Sequence, residues 1–302
     1  LANVSAADAG TYSVAVSGMT ASGTVIATVP AGNAQDSAGN TNTNSTSTDN
    51  TVLFDFTPPT VTINQAVGQA DPTGISSIDF TVIFSEPVTG FTNTDVTIGG
   101  TATGPITSVV SGSGTTYTVT VSGMTGSGTV IASIPAGSAL DASNNANLSS
   151  TSSDNNVTFD NNVPSVTINQ AAAQADPTNS TPISFTVVFG KPVTGFTNAD
   201  VLLSGTAGAT NAAVSGSGAN YTVAVSGMSN SGTVIATIPA GAAQDTVGNS
   251  NTASTSTDNT VTFDNTAPTV TINRAVGQAD PTNVSPINFT VVFSESVTGF
   301  TG

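Results

Sequence analysis

The sequence contains no cysteine and no histidine among its 302 residues. Without cysteine the chain can form neither a disulfide nor a reactive thiol. Without histidine it has no serine–histidine or cysteine–histidine catalytic pair and no imidazole ligand for zinc. We therefore predict that the chain is not an enzyme, and we assign it no catalytic or cofactor-binding residue.

Basic residues are nearly absent as well. Lys191 and Arg274 stand against 18 acidic residues, and the formal net charge is −16. Nucleic acids and anionic membrane surfaces are bound by clustered lysine and arginine, so neither is an expected partner. No run of about 18 apolar residues is present, which argues against membrane insertion. Cations are the natural partners of so acidic a chain.

The chain repeats itself at the length of one small domain. Tyr12, Tyr117 and Tyr221 occur in near-identical settings, 105 and 104 residues apart. The phrase VTINQAVGQADPT at 61–73 returns with few changes at 166–178 and 270–282. Solenoid repeats run about 20–50 residues, so a period of this length indicates a tandem array of whole domains.

The repeat divides the chain into four segments. Residues 57–160 and 161–264 are complete modules. Residues 1–56 are the C-terminal part of a module, here called the tail segment, and residues 265–302 are the N-terminal part of a further module, the head segment. Two interpretations remain open: the chain is a window on a longer array, or the partial modules complete each other between neighbouring subunits.

Each module is predicted to consist of short β-strands, because valine, isoleucine, threonine and phenylalanine dominate and glycine or proline interrupts them about every 8–12 residues. In the second complete module we predict strands at 164–169, 183–189, 200–203, before 215–218, around 221–225, at 233–239 and at 259–264. Seven short strands in about 100 residues predict an all-β fold, with tandem immunoglobulin-like seven-stranded β-sandwich modules in an elongated array.

Three segments carry a resemblance to a known family: Phe80–Phe91, Ala34–Asn40 and Thr260–Ile272. They resemble the tandem bacterial Ig-like repeats of large cell-surface and adhesin-type proteins. The resemblance implies Ig-like sandwiches without a Cys–Trp–Cys core, in agreement with the absence of both residue types. It also implies an extracellular stalk, adhesin or fibre, often rigidified by calcium at the module junctions, and it implies no single ligand.

Carboxylates recur where modules are expected to meet. In a seven-stranded sandwich the last strand leaves at the pole opposite to the second-to-third and sixth-to-seventh loops. We therefore expect Asp55 to meet Glu86 and Asp141 of the following module, and Asp160 to meet Asp245, with Asp71 close by. Calcium prefers six to eight oxygen ligands from carboxylates, amides and carbonyls. The candidate calcium ligands are Asp55, Glu86, Asp141, Asn145, Asp71, Asp160, Asp245, Asn249 and Asp264.

A simpler interpretation of these loops stands beside the metal site. Asp, Asn and Gly in segments such as Asp245–Asn249 are also ordinary turn residues that need no metal. Lys191 separates the two interpretations, because it stands where Glu86 and Glu295 stand in the other copies. If Glu86 is a ligand, the junction that carries Lys191 should bind calcium more weakly, with the ammonium group partly replacing the ion.

Three functions are compatible with these features. The first is a structural repeat region of an extracellular bacterial surface protein, and the short proline-containing linkers at 57–59 and 266–268 favour it. The second is a self-assembling filament subunit whose partial modules complete each other by strand exchange. The third is a glycan- or surface-binding module, although the tyrosines lie on the core-facing phase of their strands. The expected partners are neighbouring modules or subunits of the same protein, with an unknown surface ligand still open.

Overall fold

The regular secondary structure of the molecule is almost entirely β-strand. It is a computed structural model that describes residues 2–8 and 10–302. Within that part of the chain the helical segments are two short 3₁₀ turns, Asn93–Asp95 and Asn198–Asp200. No helix there is long and apolar enough to span a bilayer. The chain divides into two units, one ending at Asn162 and the other beginning at Val163.

The strands are numbered in chain order. The tail segment contains β1 (Ala2–Asp8), β2 (Thr11–Val16), β3 (Gly23–Ile26) and β4 (Thr51–Phe54). The first complete module contains β5 (Val61–Gln65), β6 (Ser77–Val88), β7 (Thr97–Gly100), β8 (Thr107–Ser122), β9 (Gly128–Ser133) and β10 (Asn156–Phe159). The second contains β11 (Val166–Gln170), β12 (Ile183–Val193), β13 (Leu202–Ser204), β14 (Asn211–Ser226), β15 (Gly232–Thr237) and β16 (Thr260–Phe263). The head segment contains β17 (Val270–Arg274) and β18 (Phe289–Phe293).

Each complete module consists of two three-stranded antiparallel sheets. The strand orders are β5-β6-β8 and β10-β9-β7 in the first module, and β11-β12-β14 and β13-β15-β16 in the second. In each module the buried apolar side chains of both sheets form one continuous core. The all-β, immunoglobulin-like fold predicted from the sequence is confirmed.

Alternation along the strands explains why these segments form sheets with one buried face. In β12, Ile183, Phe185 and Val187 are completely buried, whereas Ser184 and Val188 point away from the core. Successive side chains of a strand point to opposite faces, so every second apolar residue enters the core. Burying one such side chain stabilises the fold by about 1.5–3 kcal/mol.

The long strands β8 and β14 double back on themselves and so provide two of the seven predicted strands each. In β14, the Asn211 side-chain amide donates to the Ser226 hydroxyl oxygen at 3.2 Å, although fifteen residues separate them. Gly216 lies at the bend with a φ of 118°, and a Cβ atom there would collide with the carbonyl oxygen of Asn220. Only glycine accepts that conformation and that approach.

The third predicted strand begins later than expected. The sequence predicts a strand at 200–203, but Asp200 ends a 3₁₀ turn and β13 begins at Leu202. The Asp200 carboxylate accepts hydrogen bonds from the Thr197 backbone N–H and hydroxyl, both at 2.7 Å. These hydrogen bonds stabilise the turn and compete with the strand at that position.

Three aromatic rings close one end of each core. In the second complete module Phe189, Phe196 and Tyr221 pack edge to face, with ring centroids 5.2 to 5.8 Å apart. The Tyr221 hydroxyl donates to the Val193 carbonyl oxygen at 3.2 Å. Tyr117 occupies the same place in the first module, and both tyrosines are buried. The prediction that these two rings pack in the core is confirmed, and they are not available to stack on a sugar.

In the tail segment the corresponding tyrosine is exposed to solvent. Tyr12 lies on β2, and its spacing predicts a core-facing side chain, yet it is 64% exposed. Strand β2 pairs with β1, and β3 pairs with β4, but among the described residues of the tail segment no strand corresponds to β6, which pairs with β8 in the first complete module. The missing cover therefore explains the exposure of Tyr12.

The buried tyrosine hydroxyl should contribute measurably to module stability. Tyr221→Phe leaves the Val193 carbonyl without its partner, and we expect a loss of about 1–2 kcal/mol in the free energy of unfolding. A loss of that size lowers the melting temperature of a domain of about 100 residues by several degrees. Calorimetry of the full chain measures it. Tyr12→Phe is the matched control and should have no effect, and equal losses for the two variants would contradict the assignment.

Candidate metal centre

Three carboxylates converge within the first unit. Asp55 follows β4, Glu86 lies near the end of β6, and Asp141 lies in the loop between β9 and β10. One carboxylate oxygen of each residue lies within 4.8 Å of the other two. Asp141 is buried, and the other two are partly buried. The structure thus brings together the three residues that the topology argument places at this junction.

The Asp141 loop holds its carboxylate through internal hydrogen bonds. Asp141 Oδ1 accepts from the backbone N–H groups of Ser143 and Asn145, both at 2.8 Å. The Asn145 side-chain amide donates to Asp141 Oδ2 at 2.9 Å and to the Asp55 carbonyl oxygen at 3.2 Å. Asn145, a predicted ligand, therefore connects the loop to the preceding segment through its amide nitrogen.

The loop itself forms in all three copies that contain it. In the tail segment Asp36 Oδ1 accepts from Ala38 N and Asn40 N, both at 2.9 Å, although Asp36 is exposed. In the second complete module Asp245 Oδ1 accepts in the same way from Val247 N and Asn249 N. The turn therefore needs no further residue to form, and the convergence of carboxylates is what distinguishes the site at Asp141.

The electrostatics of the first unit are unfavourable without a counter-charge. Partial burial raises the pKa of Glu86 above its ordinary value, and the negative charges of Asp141 and Asp55 raise it further. Burial also opposes the charge of Asp141, but hydrogen bonds from Asn145 and Ser143 outweigh it and lower the pKa of Asp141. The loop thus keeps Asp141 ionised, and Glu86 bears the repulsion.

The equivalent place in the second unit contains its own cation. Lys191 Nζ lies 2.9 Å from Asp245 Oδ2, and the Asp245 side chain is only 3% exposed. Burial alone would raise the pKa of Asp245, but the Lys191 ammonium, with hydrogen bonds from Asn249 and Val247, lowers it to about 2. Asn249, also a predicted ligand, donates its amide to Asp245 Oδ2 at 3.1 Å.

The closing aspartate of each last strand has a common local role. Its Oδ1 accepts from a serine hydroxyl and from the backbone N–H two residues further on, which begins the linker as an Asx turn. The sets are Asp55 with Ser22 and Thr57, Asp160 with Ser127 and Asn162, and Asp264 with Ser231 and Thr266. Asp264 also lines an open cavity of about 620 Å³, together with Glu295.

Asp71 has a structural partner inside its own module. Its Oδ1 accepts from the backbone N–H of Thr158 at 2.9 Å and so ties the loop after β5 to β10. Asp176 makes the same bond with Thr262. Within each unit taken by itself, and among the residues that the structure describes, Asp71, Asp160, Asp245 and Asp264 join no group of three carboxylates like that of Asp55, Glu86 and Asp141.

One important polar residue was not singled out from the sequence. Asn147 is buried, accepts from Ala139 N at 2.7 Å and donates to the carbonyl oxygens of Pro135 and Leu148. Asn251 makes the corresponding bonds in the second complete module. These residues hold together the two sides of the acidic loop. Their recurrence two residues after Asn145 and Asn249 was the available signal.

Removing the internal cation should destabilise the second complete module. The pKa of Asp245 is lowered in the folded state, so its stabilising contribution is present above the ordinary pKa and is lost as the pH falls from about 4 to about 2. We expect Lys191→Met to lower the free energy of unfolding at pH 7 by about 1–3 kcal/mol, the range for a hydrogen bond between charged groups. The stability difference from the unmodified chain should shrink over that acid window.

Urea unfolding at a series of pH values measures both effects. Arg274→Met is the matched control, because the Arg274–Asp280 ion pair is largely exposed and contributes little. An equal effect of the two substitutions, or a difference that does not change between pH 7 and pH 2, would argue against the role of Lys191.

The comparison with known protein families agrees with the fold described above. Residues 55–158 match the family described as a bacterial Ig-like domain. A search of curated proteins gave no match. Domains of this family are typical of bacterial surface proteins and are typically non-enzymatic. The resemblance to bacterial Ig-like repeats is thereby confirmed, and residues 55–158 are similar to a bacterial Ig-like domain.

Proposed function

We propose that this chain is a structural repeat region of an extracellular bacterial surface protein, an adhesin stalk or fibre, that calcium stiffens at a module junction. The observation that carries the proposal is the convergence of Asp55, Glu86 and Asp141 within 4.8 Å. Asp55 ends one module, and the other two belong to the next. A cation held by all three would connect consecutive modules.

The donor set fits calcium in its chemistry. Three carboxylates offer up to six oxygen atoms, and calcium takes six to eight oxygens from carboxylates and carbonyls. The Asp55 carbonyl oxygen lies beside the group, since it accepts from the Asn145 amide. A bound calcium ion would supply the positive charge that offsets the mutual repulsion of the three carboxylates. Asp141 is already held ionised and in place by its loop.

The second unit supports the same interpretation, because it has a positive side chain at the position of Glu86. Where Glu86 contributes a third carboxylate, the repeat has Lys191, and its ammonium contacts Asp245 directly. A substitution of opposite charge at one position of a near-identical repeat indicates that the position needs net neutralisation, by an ion in one copy and by an amine in another. This interpretation predicts two classes of junction in one array.

The linker is built to limit bending. Pro58 and Pro59 follow Thr57, and proline restricts the backbone of its own residue and of the one before it. Pro59 is buried, and its carbonyl oxygen accepts from Leu148 N at 2.9 Å. The end of the linker is thus part of the following module. The remaining freedom lies around Asp55 to Pro58, next to the carboxylate group.

Removing one carboxylate should weaken calcium binding. In titration calorimetry of the full chain we expect Glu86→Gln to weaken binding about tenfold or more, because it removes one charged ligand. In the presence of EDTA at pH 7, the same substitution should stabilise the first complete module, because it relieves the repulsion from Asp141 and Asp55.

Asp154→Asn is the matched control, since it removes the same charge from an exposed carboxylate outside the group. Equal affinities for Glu86→Gln and the unmodified chain would remove Glu86 from the ligand set. Absence of calcium binding by the unmodified chain would remove the calcium junction and leave the structural repeat without it.

The lysine of the second unit offers the reverse experiment. Lys191→Glu restores the residue type found at the other copies and removes the internal cation beside Asp245. We expect it to increase the affinity or the number of calcium ions bound, as measured by the same calorimetry. If Lys191→Glu leaves calcium binding unchanged, the position that Glu86 and Lys191 share does not contribute a ligand.

A further inference from the structure

A serine in three copies of the repeat is hydrogen-bonded to the chain that leaves the module. It stands directly before the glycine that begins β3, β9 or β15, and we call these residues the exit serines: Ser22, Ser127 and Ser231. The residue before the exit serine differs in every copy: Ala21, Gly126 and Asn230. The copies thus share the serine at a position where its neighbour varies.

In the first complete module the exit serine holds the start of the outgoing linker. Ser127 Oγ accepts a hydrogen bond from the Asn161 backbone N–H at 2.9 Å. Its hydroxyl donates to Asn161 Oδ1 at 2.8 Å or to Asp160 Oδ1 at 3.2 Å. The next backbone N–H, that of Asn162, donates to Asp160 Oδ1 at 2.9 Å. Two successive linker amides are therefore bound by the module that they leave.

The second complete module repeats these contacts. Ser231 Oγ accepts from the Asn265 backbone N–H at 2.9 Å, and it lies 3.0 Å from Asp264 Oδ1. The Thr266 backbone N–H donates to Asp264 Oδ1 at 2.9 Å. The first two residues after the closing aspartate are thus bound in the same way in both complete modules.

The tail segment shows the same arrangement with every bond of the serine hydroxyl in use. Ser22 Oγ accepts from the Phe56 backbone N–H at 3.0 Å and donates to Asp55 Oδ1 at 2.9 Å. The Thr57 hydroxyl lies 2.6 Å from Ser22 Oγ and donates to its second lone pair. A hydroxyl group has one donor and two acceptor lone pairs, so this set of bonds is complete.

These contacts depend neither on the linker side chains nor on a convergence of carboxylates. The first linker residue is Phe56, Asn161 or Asn265, and in each copy its backbone N–H binds the serine. Within the second unit, and among the described residues, Asp264 joins no group of three carboxylates, yet its exit has the same bonds as that of Asp55. The arrangement therefore forms with and without such a group.

We infer that the exit serine is a latch: together with the closing aspartate, it fixes the first two linker residues on the module that they leave, without a cation. The serine and the aspartate bind two successive N–H groups that would otherwise bond to water. Fixing these residues removes backbone freedom from the linker. The inference goes beyond the proposed calcium junction, because it assigns part of the restraint to a neutral hydroxyl group of the preceding module.

The latch leaves little of the first linker free to rotate. It fixes Phe56 and Thr57, and Pro59 is joined to the following module, because its carbonyl oxygen accepts from Leu148 N at 2.9 Å. Pro58 alone stands between the two fixed parts. Its ring fixes its own φ angle, and the proline after it restricts its ψ angle. Bending of this linker is thus concentrated at Pro58.

Amide hydrogen exchange of the full chain in EDTA, measured residue by residue by NMR, tests the latch. We expect Ser127→Ala to speed exchange of the Asn161 amide about tenfold, because that N–H loses its acceptor. Exchange of the Asn265 amide, which is bound to Ser231, should not change. Ser231→Ala should have the reverse effect, so each variant is the control for the other.

Two further variants separate loss of the hydroxyl group from other effects. Ser127→Thr keeps the hydroxyl group and should retain the protection of the Asn161 amide. Ser149→Ala removes an exposed serine of the same module outside the linker and should leave that protection unchanged. The amides of β6 report opening of the whole module, and their exchange should be the same in all these chains.

The outcomes distinguish the latch from the calcium junction. Protection of the Asn161 amide that appears only when calcium is added would assign the restraint to the ion and overturn the latch. An unchanged exchange rate of this amide in the Ser127→Ala chain would overturn it as well. Protection in EDTA in a chain that binds no calcium would support the latch and count against the proposed calcium junction.

Discussion

One pairing determines whether a module has a core: the antiparallel contact between the long second strand and the second arm of the doubled-back strand. In the second complete module this is the contact of β12 with β14, which places Phe185 opposite Val223. It satisfies the backbone groups of both strands and covers their apolar faces at the same time. In the head segment the same residue types at the same spacing lack that partner, and Phe289 is exposed. Burial here is therefore a property of the pairing more than of the sequence of either strand.

The main charged feature of each module is the carboxylate of its acidic loop. The acidic loop holds its carboxylate by backbone and amide hydrogen bonds in all three copies, with or without a charged neighbour. The groups that hold the carboxylate in place are thus different from the group that neutralises its charge. The residue at the position of Glu86 and Lys191 determines whether the charge is neutralised, because a third carboxylate raises the local repulsion and an ammonium group removes it. A single substitution can therefore change the electrostatics of a junction while the fold stays the same.

Much of this arrangement follows from the sequence, because two-residue alternation and domain-length repetition leave few alternatives. The buried rows of β12 and the core position of Tyr117 and Tyr221 follow from period and phase alone. Strand topology was enough to place Asp55 beside Glu86 and Asp141. The predicted start of the third strand at Asp200 was wrong, because hydrogen bonds between Thr197 and Asp200 stabilise a 3₁₀ turn there and compete with the strand. The exposure of Tyr12 depends on whether a second strand covers β2, which the alternation along β2 itself cannot predict. The role of Asn147 depends on carbonyl groups from both sides of a loop, so the residues next to it do not predict that role either.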